Sequence, residues 1–393
     1  MIKSKSKCKN SEYQFRVLPA NSLSEVSEIS ASSLFSTPSF IKQSAQVSKH
    51  IQHQVVEVFQ QKEKLALLYF QIMPFKGDEL RSYIPEGEDC IINKSLEAIV
   101  DLALERVNWN LAVLGNVFLT GDKGQIFYKE VSAKEKWEIL DQACKALSKS
   151  QKIDAFLISD LREEDLVNHD IMVNKSYRLF EVEPDLIFDI QESWKTFDDY
   201  LDSIVSKYRV RTKKVFSKSN SLLIKDLTAE EIKENTKLIF SLYKNVLSSA
   251  SFKLAEISQN YFYDFKLAYP EKFKLRAYYH EGEMLGFISY FVDAKALNIN
   301  LIGIDYNHNK EHCVYQRILY DCIEQGIQER ISQIHFGRTA SEIKTSVGAV
   351  PKKGFSLLKH NSRIPNIVIK PLTTYLKPEP FEVRKPFRVE QAS

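Results

Sequence analysis

Cysteine is scarce in this 393-residue chain: Cys8, Cys90, Cys144, Cys313 and Cys322 are all there is. They are odd in number and scattered, with no CxxC pair and no histidine at metal-ligand spacing. Neither a disulfide scaffold nor a zinc site is therefore expected, and no other metal site is read from the sequence. Long apolar runs are missing too. The most apolar stretch, Leu65 to Phe75, is broken by Gln71 and is too short to span a bilayer. No apolar signal core follows Met1-Ile2-Lys3-Ser4-Lys5. From these absences we expect a cytoplasmic protein with no membrane span. Nor does one sign of charge dominate: 54 Lys and Arg against 51 Asp and Glu leave a net charge of +3, too little to imply nucleic acid by itself. No serine-histidine-acid or cysteine-histidine motif is legible, so His308, His312 and His335 read as satisfied histidines rather than a triad or metal set.

What is present is an ordinary folded chain, 44% hydrophobic and 27% charged. Its length exceeds what a single core usually spans, so two domains are expected. The first half offers a strand pair at Gln52–Phe59 and Lys64–Met73, where Leu65, Leu67 and Tyr69 at period two suit a half-buried strand. A helix follows at Ile92–Val107. Next come a buried strand over Asn110–Leu119, a loop Thr120–Gly124 with Gly121 and Gly124, and a helix opened by a Ser132/Glu135 capping box. Trp137, Leu140, Cys144 and Leu147 form that helix's apolar stripe, with Ile139 and Ala143 at its edge, and Ile153–Ser159 is the next strand.

The order strand, loop, helix, strand returns in the second half. It runs through Ile299–Tyr306, a polar loop Asn307–Lys310, a helix carrying Val314, Ile318, Leu319, Cys322, Ile323 and Ile327, and Gln333–Phe336. A repeat offset by roughly 180 to 190 residues points to two copies of one fold rather than a solenoid. Between the halves, Glu183-Pro184-Asp185 reads as a turn and Ser193–Phe216 as one long helix with a Thr196/Asp199 start. Thr228 and Glu231 open a further helix carrying Ile232, Leu238, Ile239, Leu242 and Val246. A hairpin turning at His280-Glu281-Gly282-Glu283 then leads to a third antiparallel strand at Lys295–Tyr306. The fold class is α/β, with mixed sheets and helices packed on them.

Three stretches carry candidate chemistry. A strand feeding a helix N-terminus leaves backbone N–H groups for a phosphate, which singles out Asn307, His308, Asn309 and Lys310, though none is the glycine that close wrapping requires. Asp305 and Tyr306 at the strand end are the general-base and general-acid candidates. After the strand at Gln333–Phe336, the loop Gly337–Gly354 gathers Arg338, Glu342, Lys344 and Lys353, groups suited to holding phosphate or carboxylate. Finally, Lys207, Arg211, Lys214 and Lys218 share one helical face in a run with no acidic residue, either a solvated face or an attractor of nucleotide or tRNA phosphates.

Several of these segments resemble the FemAB-like branch of the GNAT (N-acetyltransferase) superfamily. They are Ser193-Trp194 leading into Lys207-Tyr208-Arg209, the hairpin strand Gly282–Val292, and Phe336-Gly337-Arg338 with Glu342-Ile343-Lys344 and Gly348. The resemblance implies two tandem GNAT-like domains: a degenerate one over residues 1–184, an acyltransferase domain over 185–358, and a basic proline-bearing tail over 359–393. It also implies direct transfer of an acyl or aminoacyl group to an amine acceptor, such as a small molecule or a glycan or peptide precursor. The donor would be acetyl-CoA or another acyl-CoA, or an aminoacyl-tRNA. The glycine-bearing pyrophosphate signature of ordinary GNAT enzymes is absent from Asn307–Cys313. The competing class is a non-catalytic binding protein on the same fold, recognising a nucleotide-linked or RNA ligand through the basic helix.

Overall fold

The computed structural model describes residues 13–23, 33–48, 50–77, 107–249, 254–293, 295–363, 365, 366, 373 and 378–388. Two compact units emerge. The first comprises Met1–Val182, Ser251–Glu256 and Lys353–Pro378; the second comprises Glu183–Ala250, Ile257–Lys352 and Glu379–Ser393. The stretch 353–358, which the sequence groups with the second domain, thus falls in the first unit, and the end of the tail falls in the second.

The first unit contains β1 (Tyr13–Pro19), α1 (Pro38–Val47), β2 (Gln52–Gln60), β3 (Glu63–Lys76), β4 (Asn108–Leu114), β5 (Gln125–Phe127), α2 (Ala133–Ser150), β6 (Ala155–Leu161) and α3 (Asp170–Asn174). Strand β7 (Arg178–Asp189) leads into the second unit. There follow α4 (Phe197–Ser203), α5 (Ser206–Lys218), β8 (Leu223–Asp226), α6 (Ala229–Glu234), α7 (Thr236–Ser248), α8 (Tyr261–Ala268), β9 (Phe273–His280), β10 (Glu283–Asp293) and β11 (Ala296–Ile304). The chain continues through α9 (Tyr306–His312), α10 (Val314–Gln328), β12 (Gln333–His335), α11 (Ser341–Ser346) and β13 (Val350–His360).

Strand order in the first unit is β1-β2-β3-β4-β6-β13, with only the β4/β6 pair parallel. In the second it is β8-β9-β10-β11-β12-β7, with only β11/β12 parallel. The two units therefore repeat one succession of pairing senses, as expected of a duplicated mixed sheet. Each has its own core. Trp137, Leu140 and Leu147 of α2 pack on Phe70, Ala112 and Phe156, and the Trp137 indole N–H donates to the Val167 carbonyl at 2.9 Å. In the second unit, Ile318, Leu319 and Ile323 of α10 pack on Phe188, Ile288 and Ile334. Burying each such side chain contributes about 1.5–3 kcal/mol, so the helix stripes fix which face meets the sheet.

Both capping boxes form, at Ser132/Glu135 and Thr228/Glu231. The hairpin turn also forms, with Glu281 and Gly282 at φ 49° and 86°. Other expectations give way. Residues 65–70 of β3 are buried on both faces rather than half-buried, because α1 and α2 each contribute to a core on one side of the strand. Ile139 and Ala143 are fully buried, not edge positions. Strand β4 stops at Leu114, since Gly115 turns the chain at φ 123°. Pro184 lies within β7, where its fixed φ suits an extended chain. The helix expected from Thr228 divides into α6 and α7, leaving Leu238 exposed. The helix expected over 193–216 is broken at Ile204, extended at φ −92° and ψ 152°. The expected helix Ile92–Val107 lies outside the described residues apart from buried Val107. Among the described residues, no helix is long and apolar enough to cross a membrane.

Candidate functional site

The site of interest in the second unit begins with two strands that part. Strand β11 pairs with β10 from Ala296 to Ile304. Its ladder with β12, by contrast, covers only Ala296↔Gln333, Leu297↔Ile334 and Asn298↔His335. Strand β12 ends there because the chain turns toward β7: the Phe336 N–H donates to the Leu186 carbonyl at 2.8 Å, and the Leu186 N–H donates to the Gly337 carbonyl at 3.2 Å. Residues Asn298–Ile302 of β11 are left half-buried along the gap.

Past Ile304 the sequence expectation of a polar loop fails. Asn307, His308, Asn309 and Lys310 lie on helix α9, whose N-cap is Asp305. The Asp305 carboxylate accepts the Asn307 N–H at 2.9 Å and pairs with His308 Nδ1 at 2.8 Å. Partial burial pushes this carboxyl up, but the His308 contact and the Asn307 N–H outweigh it and leave its pKa lowered. The same contact raises His308. Tyr306 is half exposed, with its hydroxyl 3.2 Å from Ser249 Oγ. The Asn309 side chain accepts the Tyr315 N–H at 2.9 Å, tying α9 to the first turn of α10. Cys313 links the two helices in the left-handed region, at φ 52° and ψ 37°.

A cleft of about 340 Å³ opens at this end of α10. Its walls are Arg211, Lys214, Val215 and Lys218 of α5, Cys313 and Gln316, Glu342, Ile343 and Ser346 of α11, and Arg384 from the C-terminal segment. Four cations thus face one carboxylate, and that carboxylate, Glu342, is ion-paired with Arg384. Helix α10 adds its own partial positive charge: no acidic residue occupies its first turn, where the neutral Asn309 side chain takes the Tyr315 N–H and Cys313 itself makes no cap. The one-sided basic face seen in the sequence therefore supplies three of the four cations, Arg211, Lys214 and Lys218. Arg384 is not among the sequence candidates; its only signal there is a basic stretch bracketed by Pro380 and Pro386.

Lys344 faces the opposite way. It is 5% exposed, and its ammonium donates to the carbonyls of Phe336, Gly337 and Arg338 at 2.8, 3.3 and 2.6 Å. Burial lowers its pKa to about 7, against the pull of Asp185 and Glu183. The lysine binds its own loop, and that loop needs holding: Thr339 and Ala340 sit at φ 65° and 47°, which costs non-glycine residues about 1–3 kcal/mol each. Arg338 lies on the loop so held, while Lys353 belongs to the first unit, 3.9 Å from Glu163. Among the described residues, no group of three His, Cys, Asp or Glu side chains is placed to hold a metal ion.

No protein-family model matches the sequence, and no curated protein matches it. Solved structures do. A tandem GNAT protein from the clavulanic acid biosynthesis pathway, solved without AcCoA, superimposes with a TM-score of 0.53 at 7% identity, covering 89% of this chain and 99% of that one. FemX superimposes with a TM-score of 0.50 at 11% identity, covering 82% and 91%. The likeness establishes the fold: the chain consists of two GNAT-like units in tandem.

Proposed function

We propose that the chain is an N-acyltransferase whose second unit moves an acyl or aminoacyl group from a phosphate-bearing donor to an amine. The observation that carries this reading is the cationic cleft at the start of α10, in a unit whose strand β11 keeps an open edge beyond its three-residue ladder with β12. Side-chain cations take the place of a glycine-rich main-chain cradle, since the Asn307 N–H and the His308 and Asn309 side chains are engaged locally. Phosphates of an acyl-CoA or of an aminoacyl-tRNA end would sit among Arg211, Lys214, Lys218 and Arg384. The donor's carbonyl would lie along the open edge of β11, polarised by backbone N–H groups.

In the reaction, the acceptor amine attacks that carbonyl. A C–N bond forms and the C–S bond of a thioester, or the C–O bond of an aminoacyl ester, breaks. His308, oriented by Asp305, takes the proton lost by the amine, and the Tyr306 hydroxyl protonates the leaving thiolate or alkoxide. Arg338, on the loop fixed by Lys344, is the candidate contact for an acidic group of the acceptor.

The test offers acetyl-CoA and, separately, a charged tRNA to the purified protein and follows its melting temperature. A donor at a hundred times its Kd adds about 2.7 kcal/mol to stability, a shift of several degrees. We expect one donor to produce it, and the double variant Arg211→Gln, Lys214→Gln to abolish it along with the mass increment on an amine acceptor. A protein shifted by neither donor is not this enzyme.

A further inference from the structure

We infer that the C-terminal segment Glu379–Arg388 is a working part of the cleft, delivering Arg384 to the donor's phosphates while Phe387 acts as the plug that holds the segment in place. This rests on the anion-binding reading of the cleft given above.

The anchoring is specific. The Val205 N–H donates to the Pro386 carbonyl at 2.8 Å, and the Arg388 N–H donates to the Ser203 carbonyl at 3.1 Å. Between them, Phe387 forms an antiparallel bridge with Ile204. Its ring lies 6.2, 6.0 and 6.4 Å, centroid to centroid, from Phe188, Trp194 and Tyr200. Glycine is required beneath it: Gly348 has φ +110°, and a Cβ there would fall 2.5 Å from the Phe387 ring. Three residues before Phe387, the Arg384 N–H donates to Thr345 Oγ1 at 3.1 Å, while the guanidinium pairs with Glu342 and Glu382.

These contacts also account for the break between α4 and α5. Ile204 and Val205 turn their main chain to the tail, so α5 starts afresh at Ser206 and aims Arg211, Lys214 and Lys218 at the cleft. The tail therefore contributes one cation directly and sets the helix that carries the other three. Arg384 is the carboxylate-paired charge of the set. Glu342 and Glu382 hold its guanidinium, and a phosphate entering the cleft would take over that position, since bidentate Arg–phosphate contacts match Arg–carboxylate ones in geometry.

The experiment uses the full chain and measures Kd for coenzyme A and, in a separate arm, for uncharged tRNA, to tell the two phosphate sources apart. Arg384→Gln leaves the Phe387 anchor intact and is expected to weaken the ligand that binds by about tenfold, with an unchanged melting temperature and partial recovery in Arg384→Lys. Phe387→Ala is expected to weaken it at least as much while also lowering the melting temperature. Unchanged affinity in Arg384→Gln overturns the inference. If Arg211→Gln and Lys214→Gln are equally silent, the cleft reading itself has failed; if those two weaken binding and Arg384→Gln does not, only the role of the tail has failed.

Discussion

The two units place a helix at the same point of the same strand order, yet they treat its N-terminus in opposite ways. In the first unit, α2 begins at a complete capping box. Ser132 accepts the Glu135 N–H, and the Glu135 carboxylate returns to the Ser132 N–H at 3.0 Å. The glycine loop before it is closed as well: the Gly121 N–H donates to Asp160 and the Gly124 N–H to Asp122, at 2.9 and 3.0 Å. The Ser132, Gly121 and Gly124 N–H groups there thus already hold the protein's own carboxylates. The parallel pair β4/β6 stays together through Leu114, the last residue of β4. In the second unit, the parallel pair parts after three residues, α10 starts without an acidic side chain, and the charges nearby are Arg and Lys. The two units thus present equivalent positions that differ in side-chain charge, one met by the protein's own carboxylates and the other lined mainly by cations.

The largest effect expected on the open side comes from Lys344, which holds the loop that diverges from β11. Lys344→Ala leaves a cavity and removes the donor for three carbonyls, and should cost about 3–5 kcal/mol in urea denaturation. Lys344→Met, which keeps most of the volume, should recover part of this. The pH dependence has a definite sign. The folded-state pKa of about 7 lies below the ordinary lysine value of 10.5. Between those limits the unfolded chain holds more protons, so wild-type stability gains with rising pH relative to Lys344→Met. A difference between the two that is flat from pH 7 to 10 would show that the ammonium is not buried as described.

On the closed side, Asp122 should respond in the opposite direction. Burial pushes its carboxyl up to about 7, with Asp160 adding to the rise against the Gly124 N–H. A raised carboxyl contributes stability that is complete below its unfolded value near 3.8 and is lost as pH climbs through 7. An asparagine accepts the same Gly124 hydrogen bond without ionising. Asp122→Asn should therefore match wild type near pH 4 and exceed it by about 2–4 kcal/mol at pH 8, read from denaturation midpoints. Equal stability at both pH values would mean that the loop is more open to water than its packing indicates.

Much of this contrast was readable from local signals. The Ser132 and Thr228 caps, the Gly282 turn and the α10 stripe are all written within a few residues, and each formed. What stayed hidden depends on partners remote in sequence. The break at Ile204 is made by Pro386–Arg388, and nothing near Ile204 announces it. Lys344 looks like a surface charge because a six-residue helix has too little periodicity to reveal which way it faces. Glu342, singled out by composition, lines the cleft and Arg338 does not; Arg384 reaches the cleft through a tail with no periodic pattern at all.

The smallest effect is the sharpest check on the asymmetry. Ser132→Ala removes the side chain that accepts the Glu135 N–H, and loss of such a cap typically costs about 1 kcal/mol. If the first unit binds no donor, this variant should lose that stability while its Kd for coenzyme A and its transfer rate stay at wild-type values. Emptying the cap exposes N–H groups at the start of α2, yet Glu135 remains in the first turn and the nearby Lys123 and Lys136 are paired with Asp165, so little is gained for an anion. A Kd that changes severalfold in Ser132→Ala would place ligand at α2 and remove the distinction between a closed unit and an open one.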